Sequence, residues 1–107
     1  MYNVSERDWK LFKERLVVWQ ERYIKSLNEE YAKILCGEGS EAEKFWVIEK
    51  RINKDKQSSG VITEMKRSNF YSIILELISN EVITVNDLEG FSDEVIDFMN
   101  RAKKIEG

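Results

Sequence analysis

The first third of the chain repeats large apolar residues at intervals of three and four, which is the spacing of one face of an α-helix. Eight residues form this continuous stripe: Trp9, Phe12, Leu16, Trp19, Tyr23, Leu27, Tyr31 and Ile34. Ser5 and Asp8 precede the stripe in capping-box spacing, and Gly37 follows it. The pattern predicts one helix from Ser5 to Gly37, about 45 Å long.

A second helix is predicted to begin at Ser40, which has Glu43 three residues later, and to end near Asp55. Its buried face is predicted to contain Phe45, Ile48, Ile52 and Ala42. Trp46 lies slightly off that line. The polar residues 56–60 that follow contain nothing to bury, so they are predicted to form a mobile connector.

The most apolar stretch of the chain, residues 61–78, predicts a third helix at the centre of a bundle. A short helical turn is expected over residues 84–88, capped by Thr84 with Asp87 and closed by Gly90, and Ser92 is expected to start the last helix. Together these elements predict an all-α fold. We expect a compact four-helix bundle-like domain, spanning residues 1–107, with a long N-terminal helix and a short extra helical turn before the last helix.

Composition supports this prediction and removes several classes of function. The chain has 107 residues, of which 35% are charged and 42% hydrophobic, with no proline; this length fits one domain. Histidine is absent, so the usual general base near neutral pH and the commonest metal ligand are both missing. We therefore expect a protein that is not an enzyme and that has no cofactor and no metal site. An enzyme that uses carboxylates alone is the third alternative, after the two binding functions described below.

Cysteine usage and hydropathy bear on the compartment. Cys36 is the single cysteine, so an intrachain disulfide is excluded and a reducing compartment fits best. The longest apolar runs are four residues, 16–19 and 45–48, whereas a membrane helix needs roughly 20. We expect a cytoplasmic protein without a membrane partner.

Aromatic residues are more numerous than a small helical core requires. The chain has three Trp, four Tyr and five Phe, and surface aromatics are typical anchors of protein interfaces. A basic segment, residues 50–67, follows Trp46. The predicted interaction surface is Trp9, Phe12, Trp46, Lys50, Arg51, Lys54, Lys56, Lys66 and Arg67.

These features favour a small protein-interaction or regulatory module that binds another protein or itself. The stripe of the first helix is longer than any one of the shorter helices can cover, so its outer turns, with Trp9 and Phe12, are expected to contribute to a homodimer. The alternative is that the segment 50–67 binds a nucleic acid or a phosphate-containing ligand. The net charge of −3 gives that alternative no support from the chain as a whole.

Several short segments of the chain together resemble a group of known proteins. They are WQERY at 19–23, KFW at 44–46, EKRI at 49–52, RSN at 67–69, VIT at 82–84, DL at 87–88 and FSDE at 91–94. The similarity is to short all-helical proteins of low-GC Gram-positive gut bacteria, a group with no described activity to carry over. The resemblance implies a bacterial cytosolic origin.

Overall fold

The protein is all-helical in the computed structural model, which describes residues 3–106 and the side chains of residues 3–103. The four α-helices are α1 (Glu6–Cys36), α2 (Glu41–Asp55), α3 (Phe70–Ser79) and α4 (Asp93–Glu106). Two short 3₁₀ helices occupy Arg67–Asn69 and Val85–Leu88. The predicted fold class is confirmed, including the long N-terminal helix and the short turn before the last helix. Residues 1, 2 and 107, the ends of the predicted domain, lie outside the described residues.

Serine caps begin the first two helices, as the sequence predicts. The Ser5 hydroxyl accepts the Asp8 backbone N–H at 3.1 Å, and the Ser40 hydroxyl accepts the Glu43 backbone N–H at 3.1 Å. The Asp8 carboxylate, however, does not return to Ser5. It is buried and accepts the backbone N–H of Ser92 at 3.0 Å and the Ser92 hydroxyl at 2.7 Å. Asp8 therefore joins the start of α1 to the start of α4.

The hydrophobic core lies along the N-terminal half of α1. Phe12, Leu16 and Trp19 are the α1 residues at its centre, and Phe12 meets Phe70 of α3 edge to face with ring centroids 5.4 Å apart. The most deeply buried of the other core residues come from α3, from the Val85–Leu88 turn and from α4: Ile74, Leu77, Leu88, Val95 and Met99. The core is thus built from one end of the long helix and the C-terminal third of the chain.

Arg22 ties the middle of α1 to the short turn before α4. Its guanidinium binds both carboxylate oxygens of Asp87 at 3.1 Å and donates to the Val82 carbonyl at 3.3 Å. Burial alone would raise the pKa of Asp87, but the hydrogen bonds from Arg22 and Thr84 outweigh it and hold this pKa below its usual range. The predicted cap of the turn is confirmed, since the Thr84 N–H donates to Asp87 at 2.8 Å.

The predicted third helix is wrong over its first half. Residues 62–66 are not helical, and α3 begins only at Phe70. Ser59 lies beside Gln20 of α1, whereas Arg67 binds Glu6 near the start of the same helix. These two points on α1 are about 21 Å apart by the helical rise. The eight steps from Ser59 to Arg67 would reach about 12 Å as a helix and about 26 Å as extended chain, so the connecting residues cannot span the distance as a helix.

The connector between α2 and α3 is also more ordered than its polar sequence predicts. Ser59 is buried, its carbonyl accepts the Gln20 amide at 3.1 Å, and its hydroxyl accepts the Asn80 amide at 2.9 Å. Gly60 lies against the ring of Tyr23, so close that a Cβ there would be 2.4 Å from a ring carbon. The connector is therefore fastened to both α1 and the end of α3.

The molecule is elongated because the two halves of α1 have different neighbours. Its principal extents are 52 × 28 × 21 Å and its radius of gyration is 16.7 Å, against about 13 Å for a compact domain of this length. The N-terminal half of α1 carries the core, and the C-terminal half runs on beside α2. The α1–α2 hairpin therefore projects from the body of the protein.

Replacement of Asp8 is expected to destabilise the protein. Asp8→Ala leaves two polar groups of Ser92 without their partner at a half-buried helix start, so the free energy of unfolding should fall by about 2 kcal/mol. Urea denaturation measures the change. Glu14→Ala removes an exposed acid from the same helix and should stay within about 0.5 kcal/mol of the wild type; equal effects of the two substitutions would contradict the assigned cap.

Substitution of Gly60 is expected to destabilise by a steric route. Gly60→Ala forces the Tyr23 ring to move and should lower the free energy of unfolding by about 1–3 kcal/mol. Gly37→Ala is the matched control, because its Cβ would meet no atom closer than 3.2 Å. In a Tyr23→Ser background the cost of Gly60→Ala should shrink, and a cost that does not depend on Tyr23 would refute this explanation.

Candidate interaction surface

Helices α1 and α2 contact each other through a polar network around Tyr31. The Tyr31 hydroxyl donates to Asp55 Oδ2 at 2.6 Å. Arg51 places its guanidinium carbon 5.7 Å from the centroid of the Tyr31 ring, and it pairs with Asp55 at 3.4 Å and with Glu30 of α1 at 3.6 Å. The contact that holds the hairpin closed is therefore largely charged.

The α2 residues on the side of this network recur at helical spacing. Four positions of α2 are half-buried: Lys44, Ile48, Arg51 and Asp55. Only Ile48 among them is apolar. No residue of α2 is fully buried, so the other sides of the helix face away from the rest of the chain.

The large apolar side chains of α2 are exposed as a consequence. Phe45 is 62% exposed, Trp46 59% and Ile52 43%, and the rings of Phe45 and Trp46 meet edge to face at 5.0 Å. The predicted burial of Phe45, Ile52 and Ala42 is wrong, since all three are exposed. The reason is that α2 turns the line through Ile48 and Arg51 toward α1, about 80° around the helix from Phe45 and Ile52. Phe45, Trp46 and Ile52 are called the α2 apolar face below.

The titration of Tyr31 reflects its position between the two helices. Burial, together with the hydrogen bond to Asp55 and the negative charge of that carboxylate, raises the pKa of Tyr31 to about 12. The Arg51 cation acts in the opposite direction and does not reverse the shift. The phenol is therefore fully protonated at neutral pH and stays a donor to Asp55.

An open groove lies beside the α2 apolar face. Its volume is about 210 Å³. Its apolar walls come from α1, from α2 and from the residue after Gly60: Ile24, Leu27, Tyr31, Ile52 and Val61. The exposed Asn28 also lines the groove. We call this feature the α1–α2 groove; Ile52 belongs both to its wall and to the apolar face.

Trp9 and Phe12, the residues of the first helix that were predicted to form an interaction surface, lie away from the α2 apolar face. Phe12 is 0% exposed and lies in the core. Trp9 is half-buried and packs on Phe12 with ring centroids 5.8 Å apart. The prediction that Phe12 lies on an interaction surface is wrong, because α3 and α4 cover this end of α1. Trp46 is the predicted aromatic that the structure leaves at the surface.

The predicted basic residues are divided between intrachain contacts and solvent. Arg51 belongs to the α1–α2 network, Arg67 binds Glu6 at 2.7 Å, and Lys66 pairs with Glu64 at 3.0 Å. The other three are exposed on α2 or just after it: Lys50, Lys54 and Lys56.

Sequence reasoning placed Phe45 and Ile52 in the core, although α2 carries a signal against it. Residues 45–48 are four consecutive apolar positions, which is more than one helix face can bury. The polar line through Arg51 and Asp55 has the same spacing as the apolar one. The sequence pattern is therefore compatible with either of two faces of α2 packing on α1.

The part of the chain that the structure describes contains no group of three or more cysteine or carboxylate side chains that could hold a metal ion. Cys36 is a free, exposed thiol at the end of α1. Among the described helices, none is both long enough and apolar enough to cross a membrane.

Comparisons with protein-family models, with curated proteins and with solved structures found no match to this chain.

The ionisation of Tyr31 provides a test of the hairpin contact. Because its pKa in the folded protein is raised above the ordinary value, its contribution to stability is present below pH 10 and is lost as the pH rises from there to about 12. Ultraviolet titration of tyrosinate should show one phenol ionising at about 12. Tyr31→Phe should remove that step and Asp55→Asn should lower its pKa; a titration that neither variant alters would contradict the assignment.

Proposed function

We propose that this protein is a non-catalytic cytoplasmic interaction module that pairs with a second copy of itself through the α2 apolar face. The observation that carries the proposal is the orientation of α2. Its charged side makes the contact with α1, and its large apolar side chains are left in water. Clustered exposed apolar residues on a small protein mark sites of association.

The size of the α2 apolar face supports a specific interface. A large apolar side chain has about 150–250 Å² of surface, so the exposed parts of Phe45, Trp46 and Ile52 amount to roughly 350 Å². A stable homodimer buries about 800 Å² on each partner, of which about 65% is apolar. The face thus supplies the greater part of the apolar area that one partner contributes, and the polar residues around it supply the rim.

The distribution of charge along α2 supports a second copy as the partner. On the side of the α2 apolar face, Glu41 lies at the N-terminal end of the helix and Lys56 follows its C-terminal end. Two α2 helices side by side in opposite directions bring Glu41 of each against Lys56 of the other. The helix therefore carries the charge pattern that its own partner requires.

The same residues give less support to the nucleic-acid alternative. Phosphate binding draws on several free cations, and Arg51 and Arg67 of the segment 50–67 are engaged with carboxylates of their own chain. The cytoplasmic part of the proposal is supported by Cys36, an exposed thiol that is unpaired within the chain and suits a reducing compartment.

The test is the mass in solution of the wild type and of two matched variants. Light scattering after gel filtration at micromolar concentration should give twice the chain mass of 12.7 kDa. Phe45→Glu places a charge in the proposed interface and should give the mass of one chain. Val18→Glu places the same charge at a position of equal exposure, 60%, on the opposite side of α1, and should remain a dimer.

A wild type that keeps the mass of one chain after tenfold concentration would overturn the proposal. So would a dimer that Val18→Glu disrupts and Phe45→Glu does not.

A further inference from the structure

Helix α2, which forms one wall of the α1–α2 groove, also carries an exposed apolar side chain whose chemistry suits the groove. The groove is apolar and open, and Ile52 lies at its edge. Phe45 lies two helical turns earlier on the same line of α2. It is 62% exposed, and its ring contacts the ring of the adjacent Trp46. It cannot reach the groove beside Ile52 in its own chain, because about 10 Å of helix separates the two positions.

We infer that the α1–α2 groove is a binding site for Phe45 of a second copy, with two α2 helices packed antiparallel. This inference rests on the proposed function and adds the orientation, the register and the pocket. In the antiparallel arrangement, Phe45 of each copy lies opposite Ile52 of the other. Two equivalent insertions then fill both grooves, as the symmetry of an isologous dimer requires.

The register has a second consequence for charge. The midpoint of α2 between Phe45 and Ile52 is also the midpoint between Glu41 and Lys56, so setting the first pair opposite each other sets the second pair opposite as well. Glu41 is 94% exposed, and its ion pair, at 3.6 Å, is with the half-buried Lys44 of its own helix. A parallel arrangement would instead bring Glu41 against Glu41 and Lys56 against Lys56. Charge therefore selects the antiparallel direction.

The helical geometry leaves room for this partner. The line of α2 through Phe45 and Ile52 lies about 80° around the helix axis from the line that faces α1. In a four-helix bundle each helix has two neighbours at nearly a right angle. A second hairpin can therefore dock beside α2 without displacing α1, and the two hairpins together complete a four-helix bundle.

Cysteine cross-linking tests the orientation and register. In a Cys36→Ser background, Glu41→Cys and Lys56→Cys are made in separate chains, and light scattering first confirms that each variant has the mass of the wild type. On mild oxidation, an equimolar mixture should form disulfide-linked dimers, in about half of the population at most by statistical mixing. Each variant alone should remain unlinked.

The outcomes separate this inference from the proposed function. Cross-linking of each variant with itself, or a dimer that no combination cross-links, would overturn the antiparallel register while leaving the dimer in place. A wild type that is a monomer would overturn the proposed function, and this inference with it.

Occupancy of the groove is tested by blocking it. Asn28→Trp places a large side chain over the groove from an exposed position, so the chain should still fold, and circular dichroism confirms this. Asn28→Trp and Phe45→Ala should each raise the dimer dissociation constant on the order of 100-fold. Val47→Ala, on the far side of α2, should raise it by less than about threefold. A dimer that Phe45→Ala weakens and Asn28→Trp does not would show that the groove is not the site.

Discussion

The length of α1 constrains where every other element of the protein can lie. A helix of 31 residues is about 46 Å long, and the remaining helices are too short for any one of them to cover it. The C-terminal third of the chain buries the first half of the stripe, through Phe12, Leu16 and Trp19. The second half is left to α2 and to the residues just after it, Gly60 and Val61. The elongated shape, the extended connection back to the start of α1 and the projecting hairpin all follow from this division.

The hairpin differs from the core in the kind of contact that holds it. In the core, apolar side chains of α1 meet apolar side chains of α3 and α4. In the hairpin, Arg51 and Asp55 meet Tyr31 and Glu30. Polar contacts fix geometry more than they add stability, since their gain is offset by the loss of hydration. A second helix held in this way keeps its apolar side chains free for another molecule.

The sequence predicted the features that depend on local rules. Ser5, Ser40 and Thr84 were identified as caps from their spacing, and the bounds of α1 and α2 agree with the structure to within a residue or two. The prediction failed where a distant contact decides the outcome. Residues 62–66 precede a strongly apolar stretch and were predicted to continue its helix, but they must span a length of α1 that a helix cannot. The direction in which α2 faces depends on Tyr31, Arg51 and Asp55 meeting in space, and helical periodicity cannot choose between an apolar line and a polar one of equal spacing.

The link between Asp8 and Ser92 has a consequence for the order in which the chain acquires structure. The two residues are 84 positions apart, and the residues that cover Phe12 and Leu16 lie mostly beyond residue 69. The α1–α2 hairpin, in contrast, is complete once residue 55 has been synthesised. During translation the hairpin can close early, while the first half of α1 keeps its aromatic stripe exposed until α3 and α4 have been added. The N-terminal half of α1 is therefore the part of the helix that is covered last.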